Sequence, residues 1–184
     1  PSAVHRLDRY TSGLVLFGRT KRGLEGMSRL VREGDIDKRY YILTVGAPRT
    51  ESGKIDASLA EVNIGKRRMA VDHGAHSQEA ITEYEVEEKF GGFTLIRARI
   101  LTGRTHQLRV HFESIGCPIA CDGIYGDKAA NRFLREKVGL MRQFIHARSL
   151  AFEHPVSGEP LSLEAKLPKD LAKVLKQLRE GLAN

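Results

Sequence analysis

The sequence predicts an α+β fold: a mixed, largely antiparallel sheet with flanking helices. Three observations carry this reading. Strand-like segments dominate the middle of the chain, amphipathic helical segments flank them, and hairpin signals are frequent, the clearest at Gly91-Gly92.

The elements follow in order. Leu14-Val15-Leu16-Phe17 is a short apolar run, read as a strand buried on both faces. Thr20 can cap a helix over 21–33, with Leu24, Met27, Leu30 and Val31 on one face, and Gly34 can end it. Lys38 to Gly46 is rich in Tyr, Ile, Leu and Val and predicts a strand. Residues 47–80 are polar and glycine-dotted, with the basic cluster Lys66-Arg67-Arg68, and predict short strands and a loop. Ala80 to Phe90 alternates, Gly91-Gly92 turns the chain, and Phe93 to Leu101 returns. In the return strand Leu95, Arg97 and Arg99 alternate with Ile96, Ala98 and Ile100, which predicts one wet face and one buried face. A helix from about Arg104 to Ile115 puts Leu108, Phe112 and Ile115 on one side. Arg109 stands about 100° from Leu108, at the edge of that stripe, where it can reach another element. Phe144 to Phe152 predicts a further strand, Pro155 to Gly158 a turn, and Leu161 to Leu163 the strand beyond it. Pro168 to Leu182 is an amphipathic helix, with Pro168 suited to its first turn.

Composition bounds the function. The 184 residues suffice for a single domain over 1–184 with a sizeable core. Apolar residues at 41% and charged residues at 29% are those of an ordinary globular chain. No apolar run approaches the ~20 residues of a membrane helix, and no leader is recognisable. A cytoplasmic protein without membrane contact is expected. Thirty Lys and Arg against 23 acids give +7, which suits nucleic acid or another polyanion as partner, with a merely basic solvated surface as the equal alternative on composition alone. Cys117 and Cys121 lack the second pair a zinc site needs, so buried free thiols are expected. His106 and His111 are five apart, not the i, i+4 spacing that places two ligands on one helical face, so no metal is expected there.

The most informative segment is His5-Arg6-Leu7-Asp8-Arg9-Tyr10-Thr11-Ser12, closed by Gly13. It sets one carboxylate among cations. Such an acid is poorly placed to bind a polyanion by charge alone and well placed to do chemistry on one. A second segment, Thr102-Gly103-Arg104-Thr105-His106-Gln107-Leu108-Arg109-Val110-His111, has a similar character. Asp8 alone would more often be a structural ion pair, and Tyr40 alone the filler of a half-buried strand.

The four segments His5 to Gly13, Lys38-Arg39-Tyr40, Gly103 to His111, and Ile145-His146-Ala147 with His154-Pro155 and Gly158-Glu159 resemble, in order, the motifs of the RluA-type pseudouridine synthases. The resemblance implies isomerisation of uridine to pseudouridine in structured RNA. The N1 glycosidic bond breaks, the uracil turns, and C5 joins the sugar, without metal or cofactor. Asp8 matches the family's obligatory carboxylate. Arg109 matches its arginine partner, and a cation within about 4–6 Å favours the charged form of such a group. Tyr40 matches the active-site tyrosine, whose ring can stack on uracil. Arg6 is placed to fill the space of an extruded nucleotide or hold its phosphates. Arg9, Arg104, Lys66, Arg67 and Arg68 are the further candidates for RNA phosphate contact. His5 is expected to orient its loop by hydrogen bonds. Tyr10 is a departure, since the family often carries an acidic or small residue there. The resemblance also implies a K-P-x-G segment and often a small RNA-binding domain before Pro1. Neither is in this sequence, so at least one strand of the expected sheet is expected to lie outside it.

Ribosomal RNA, 23S above all, is the favoured target, with transfer RNA as the alternative. A non-catalytic RNA-binding or ribosome-assembly module would not need Asp8, Tyr40 and Arg109 together. A hydrolase would need a second carboxylate or a metal set. No obligatory protein partner is evident, and a monomer is expected.

Overall fold

The computed structural model describes residues 1–63, 65 and 67–181. Its elements are β1 (Ser2–Ala3), β2 (Ser12–Gly13), β3 (Phe17–Gly18), α1 (Lys21–Glu33), β4 (Asp37–Val45), β5 (Ser52–Asp56), β6 (Leu59–Asn63), β7 (Arg67–Val71), β8 (Ile81–Phe90), β9 (Phe93–Ile100), α2 (Gln107–Ser114), α3 (Lys128–Phe133), β10 (Ile145–Glu153), β11 (Pro160–Glu164) and α4 (Lys169–Arg179).

The main sheet has the order β11-β10-β4-β9-β8-β5. Its pairings along this path are antiparallel, and β2 joins β10 in parallel. The sheet is therefore mixed and largely antiparallel, with four α-helices around it. The period of two along β4 decides which side chains meet which layer. Tyr40 and Ile42 stand with Ala98 and Ile96 on one face, where Leu108 and Phe112 of α2 cover them. Leu43 stands with Leu95 on the other, under Leu171, Val174, Leu175 and Leu178 of α4. β6 and β7 form a separate hairpin packed on Val110 and Tyr125.

The local rules hold well at α1. Thr20 Oγ1 accepts from the Gly23 N–H at 3.1 Å, and Gly34 closes the helix at φ +82°. Four expectations are corrected. Leu14 to Phe17 is not a buried strand: only Phe17 joins one, the short β3, and it is 59% exposed. Leu14 and Leu16 serve instead as a packed linker against Met27 and Leu30 of α1. Four apolar residues are too few for their length to say whether a strand or a linker is meant. Leu95 is buried, not wet, because α4 covers that end of the sheet and leaves only the end with Arg97 and Arg99 open. The helix expected from Arg104 starts at Gln107, and residues 103–106 form the loop that matters below. At the other end of the chain Pro168 caps α4 rather than opening its first turn.

The two cysteines are buried free thiols. Burial pushes the Cys121 thiol up to about 11, with Arg135 opposing, so it is a packing residue rather than a nucleophile.

Candidate active site

Asp8 begins a tight turn in which the Thr11 N–H donates to the Asp8 carbonyl at 3.0 Å. Tyr10 lies in that turn at φ +72°, a conformation a bulky residue adopts only when held there. The holding groups come from the chain before β10. The Arg142 guanidinium donates to the Tyr10 carbonyl at 2.8 Å and is itself fixed by Asp170 at 2.7 Å. Gln143 Nε2 donates to Thr11 Oγ1 at 3.0 Å. Gly13 then lies along β10 at φ +118°, where an added Cβ would stand 2.1 Å from the Ala147 carbonyl oxygen. Only glycine fits. The Thr-Ser-Gly that follows the aspartate is thus the clamp that fixes the aspartate's loop to the sheet. His5 accepts the Leu16 N–H on Nε2 at 3.1 Å, which is the orienting role expected of it. Burial, then Lys38 nearby, holds its pKa below the ordinary value against a raising contribution from Arg6, consistent with a neutral acceptor ring.

The opposite wall is the 103–106 loop and the start of α2. Gln107 is buried and fully engaged. Its Nε2 donates to the Ile81 carbonyl and Thr82 Oγ1, and its Oε1 accepts from Thr102 Oγ1 and the Arg104 N–H. This ties the loop to β8 and sets where Arg109 emerges.

Arg109 reaches Asp8, Nη1 to Oδ2 at 3.5 Å. That is the pairing expected from the motifs, but it is the weaker of two. Arg109 also grips Asp122 with both sides of its fork, Nε to Oδ2 at 2.6 Å and Nη2 to Oδ1 at 2.9 Å. The Asp122 side chain is fully buried. Burial pushes the Asp122 pKa up, but the Arg109 hydrogen bonds and those from the Ile124 and Tyr125 N–H groups together hold it below the usual carboxylate range. For Arg109 burial opposes the charge, and Asp122 then Asp8 outweigh it. The Arg109 guanidinium lies 4.9 Å over the Tyr125 ring, with Arg68 4.8 Å from the same ring. The Tyr125 hydroxyl accepts from the Met69 N–H at 3.1 Å and shares a hydrogen bond with His106 Nδ1 at 2.9 Å. Sequence reasoning missed Asp122 and Tyr125. Cys121-Asp122-Gly123 reads as an ordinary turn, with no spacing to tie it to Arg109.

Asp8, Tyr40, Arg6, Leu7, Thr105 and His106 line one cleft of about 130 Å³. Tyr40 is 8% exposed. Burial, and then the charge of Asp8, push its phenol up to about 12, so the hydroxyl keeps its proton. Asp8 and Tyr40 therefore share the cleft, with Arg6 and Arg104 also lining it, and Arg109 joins them through its contact with Asp8 rather than as a lining residue. Arg9 is exposed beside it, over the Tyr10 ring at 5.0 Å. Lys66 lies outside the described residues. Arg67 and Arg68 are not loop cations: both lie on β7 and both have carboxylate partners. Arg67 pairs with Glu61, and Arg68 takes both oxygens of Glu113 at 2.8 and 2.7 Å.

Residues 1–114, which hold Asp8, Tyr40 and Arg109, match the family described as RNA pseudouridylate synthase. This chain belongs to that family. The ribosomal large subunit pseudouridine synthase D of Zymomonas mobilis is 35% identical over 97% of this chain and 56% of its own length. The ribosomal large subunit pseudouridine synthase C of Haemophilus influenzae is 39% identical over 97% of this chain and 55% of its own. The chain thus spans just over half the length of these relatives. The solved structure of Human RNA Pseudouridylate Synthase Domain Containing 4 superposes with a TM-score of 0.81, at 28% identity, over 97% of this chain and 76% of that one. The two share their fold over nearly the whole of this chain, and the cleft lies where the segments His5 to Gly13, Lys38 to Tyr40 and Gly103 to His111 meet.

Proposed function

We propose that residues 1–184 form a single catalytic domain of an RNA pseudouridine synthase that isomerises uridine in structured RNA, with large-subunit ribosomal RNA as substrate. The observation that carries the reading is the cleft itself. Asp8 is the one carboxylate among its lining residues, it shares the lining with Tyr40, Arg6 and Arg104, and Arg109 pairs with it from beneath. The names of the two bacterial relatives favour ribosomal over transfer RNA.

The chemistry is an internal rearrangement. The N1–C1′ bond breaks, the uracil turns, C5–C1′ forms, C5 gives up its proton and N1 takes one. Asp8 acts on the nucleotide as an anion, whether at sugar or base. Arg109 holds it in place, and Asp122 holds Arg109. Tyr40 offers a buried ring for the uracil to stack on and a hydroxyl that stays protonated. A paired or stacked uridine must leave its helix to reach so small a cleft, and Arg6 stands where it can occupy the vacated space. The enzyme works as a cytoplasmic monomer.

The test is pseudouridine mapping of ribosomal and transfer RNA from cells with and without the protein, and with the Asp8→Asn variant. A site in large-subunit RNA that disappears without the protein and is not restored by Asp8→Asn supports the reading. Identical maps overturn it, and a vanished site in transfer RNA moves the substrate.

A further inference from the structure

Beside the Asp8 cleft lies a second recess of about 240 Å³, lined by Val4, His5, Arg6, Lys38, Tyr40 and Gly103 among others. It shares Arg6, Tyr40 and Gly103 with the first, so the two are neighbouring chambers of one surface. Lys38 is in its wall, two residues before Tyr40 on the same face of β4.

Lys38 is unusual among the cations of this chain. It is only 8% exposed, yet no carboxylate among the described residues pairs with it. Burial alone pushes its pKa down, with no opposing contribution from any anion. Its charge is felt at His5, and its Nζ stands 3.8 Å from where a Gly103 side chain would begin. An ammonium at the end of a largely buried side chain, partly desolvated and with no carboxylate beside it, gains from an anionic partner. Here its neighbours in the recess are Arg6, a cation, and His5, whose Nε2 is occupied by the Leu16 N–H. The recess therefore offers positive charge and no negative charge, and its neighbour is the cleft where the uridine reacts.

We propose that this recess is an anion pocket in which Lys38 and Arg6 hold a backbone phosphate next to the target nucleotide. The assignment rests on the RNA reading above. Lys38 would then act as a binding group that fixes the strand relative to Asp8, and Gly103 keeps the entrance clear because a long side chain there would crowd Nζ. The arriving phosphate relieves the desolvation of the ammonium, so the site is poised for a charged ligand rather than for uracil, which is neutral.

The experiment uses the full-length protein and the large-subunit ribosomal RNA fragment it binds most tightly, with transfer RNAs in parallel. Phosphates around the bound uridine are replaced one at a time by neutral methylphosphonate, and binding is measured for wild type and Lys38→Met. Wild type should weaken on the order of tenfold at one linkage, the scale of a single charge-assisted hydrogen bond. Lys38→Met should bind the unmodified RNA about that much more weakly and be indifferent to that same replacement. Its melting temperature should be unchanged or higher, because a partly desolvated charge without a partner is gone. Equal weakening of both proteins at every linkage, or none in wild type, overturns the pocket. A melting temperature that falls with binding coupling unchanged makes Lys38 structural and also overturns it. Because the readout is binding, failure to form pseudouridine would sink the proposed activity and leave this result readable.

Discussion

The open end of the sheet and the rim of the Asp8 cleft both present a row of cations, and the two rows have opposite surroundings. On the sheet, Arg97 holds Glu85 at 2.9 Å and Glu87 at 2.8 Å, while Arg99 holds Asp37 at 2.7 Å and Glu83 at 3.1 Å. Arg39 shares Asp37 at 2.8 Å. Around the cleft, Arg6, Arg9, Lys38 and Arg104 have no carboxylate partner among the described residues. Arg104 donates Nε only to the Glu79 carbonyl, and Arg9 lies against a tyrosine ring. Exposed pairs contribute little stability, roughly 0–1 kcal/mol each, but they cancel their own field. The excess of +7 is therefore felt near Asp8 more than on the sheet. A count of lysines and arginines says that a polyanion suits this chain as a partner. The pattern of unpaired cations says where it would lie.

The largest effect should come from the one acid inside the unpaired set. Asp8→Asn should abolish pseudouridine formation while leaving melting temperature and most RNA affinity intact, since the amide is nearly isosteric but cannot act as an anion. Turnover above a few per cent of wild type would remove Asp8 from the chemistry. Next in size is the buried pair beneath it. Arg109→Ala strands Asp122 without its partner in a fully buried position and should cost about 3–5 kcal/mol in chemical unfolding, besides impairing turnover. Arg97→Ala, in the exposed set, should cost less than about 1 kcal/mol. Equal costs would mean that burial does not separate the two kinds of pair.

Much of this site is legible in the amino-acid sequence. Asp8, Arg109 and Tyr40 are marked by their motifs and do converge, and α1 has the residue bounds its cap signals indicate. Local rules suffice where the deciding partner is three or four residues away, as with Thr20 and Gly23. They fail where the partner is distant in sequence or unmarked. Nothing in Leu14 to Phe17 announces that α1 will fold back over it, and nothing in Leu95 announces α4. Asp122 escapes because its meaning is an ion pair with Arg109, not a pattern. Arg67 and Arg68 show the converse failure: a run of like charge reads as a free surface, while Glu61 and Glu113 neutralise both.

A smaller effect sharpens the comparison directly. Removing a cleft cation, Arg6→Ala or Arg104→Ala, should weaken RNA binding and flatten its salt dependence by roughly one unit for each phosphate that is no longer neutralised. Arg6→Ala should in addition slow single-turnover formation of pseudouridine at saturating RNA, if it holds the opened nucleotide. Arg67→Ala and Arg99→Ala should leave the slope within error, because their charge is already matched. Salt titrations of binding across the four variants decide this. A common slope change in all four would mean that pairing on the protein does not screen these arginines from RNA.

The smallest effect concerns a residue that shares the cleft's motif without sharing its function. His111 ends the Gly103 to His111 segment but is fully buried on the inner side of α2. Its Nε2–H donates to the Ala57 carbonyl at 2.9 Å, and in the neutral ring Nδ1 accepts from the Thr82 hydroxyl, also at 2.9 Å, whose oxygen already accepts from Gln107 Nε2. That arrangement requires the neutral ring. Burial lowers its pKa from the ordinary 6.5, against smaller raising contributions from the Ala57 carbonyl and Asp56. The unfolded chain therefore takes up a proton near pH 6.5 that the folded chain still refuses, and stability must rise with pH across that interval. The contribution of His111 is complete above pH 6.5 and is lost as pH falls toward the folded value. His111→Gln can still donate to Ala57 but does not titrate. Its unfolding free energy should be lower than wild type at pH 7.5, and the gap should narrow by pH 5.5. Denaturant unfolding of both proteins at the two pH values measures this. A gap of constant size would show that His111 does not titrate between them in the unfolded chain alone, and would leave the pH dependence to His5, His106 and His146, whose pKa values burial also depresses.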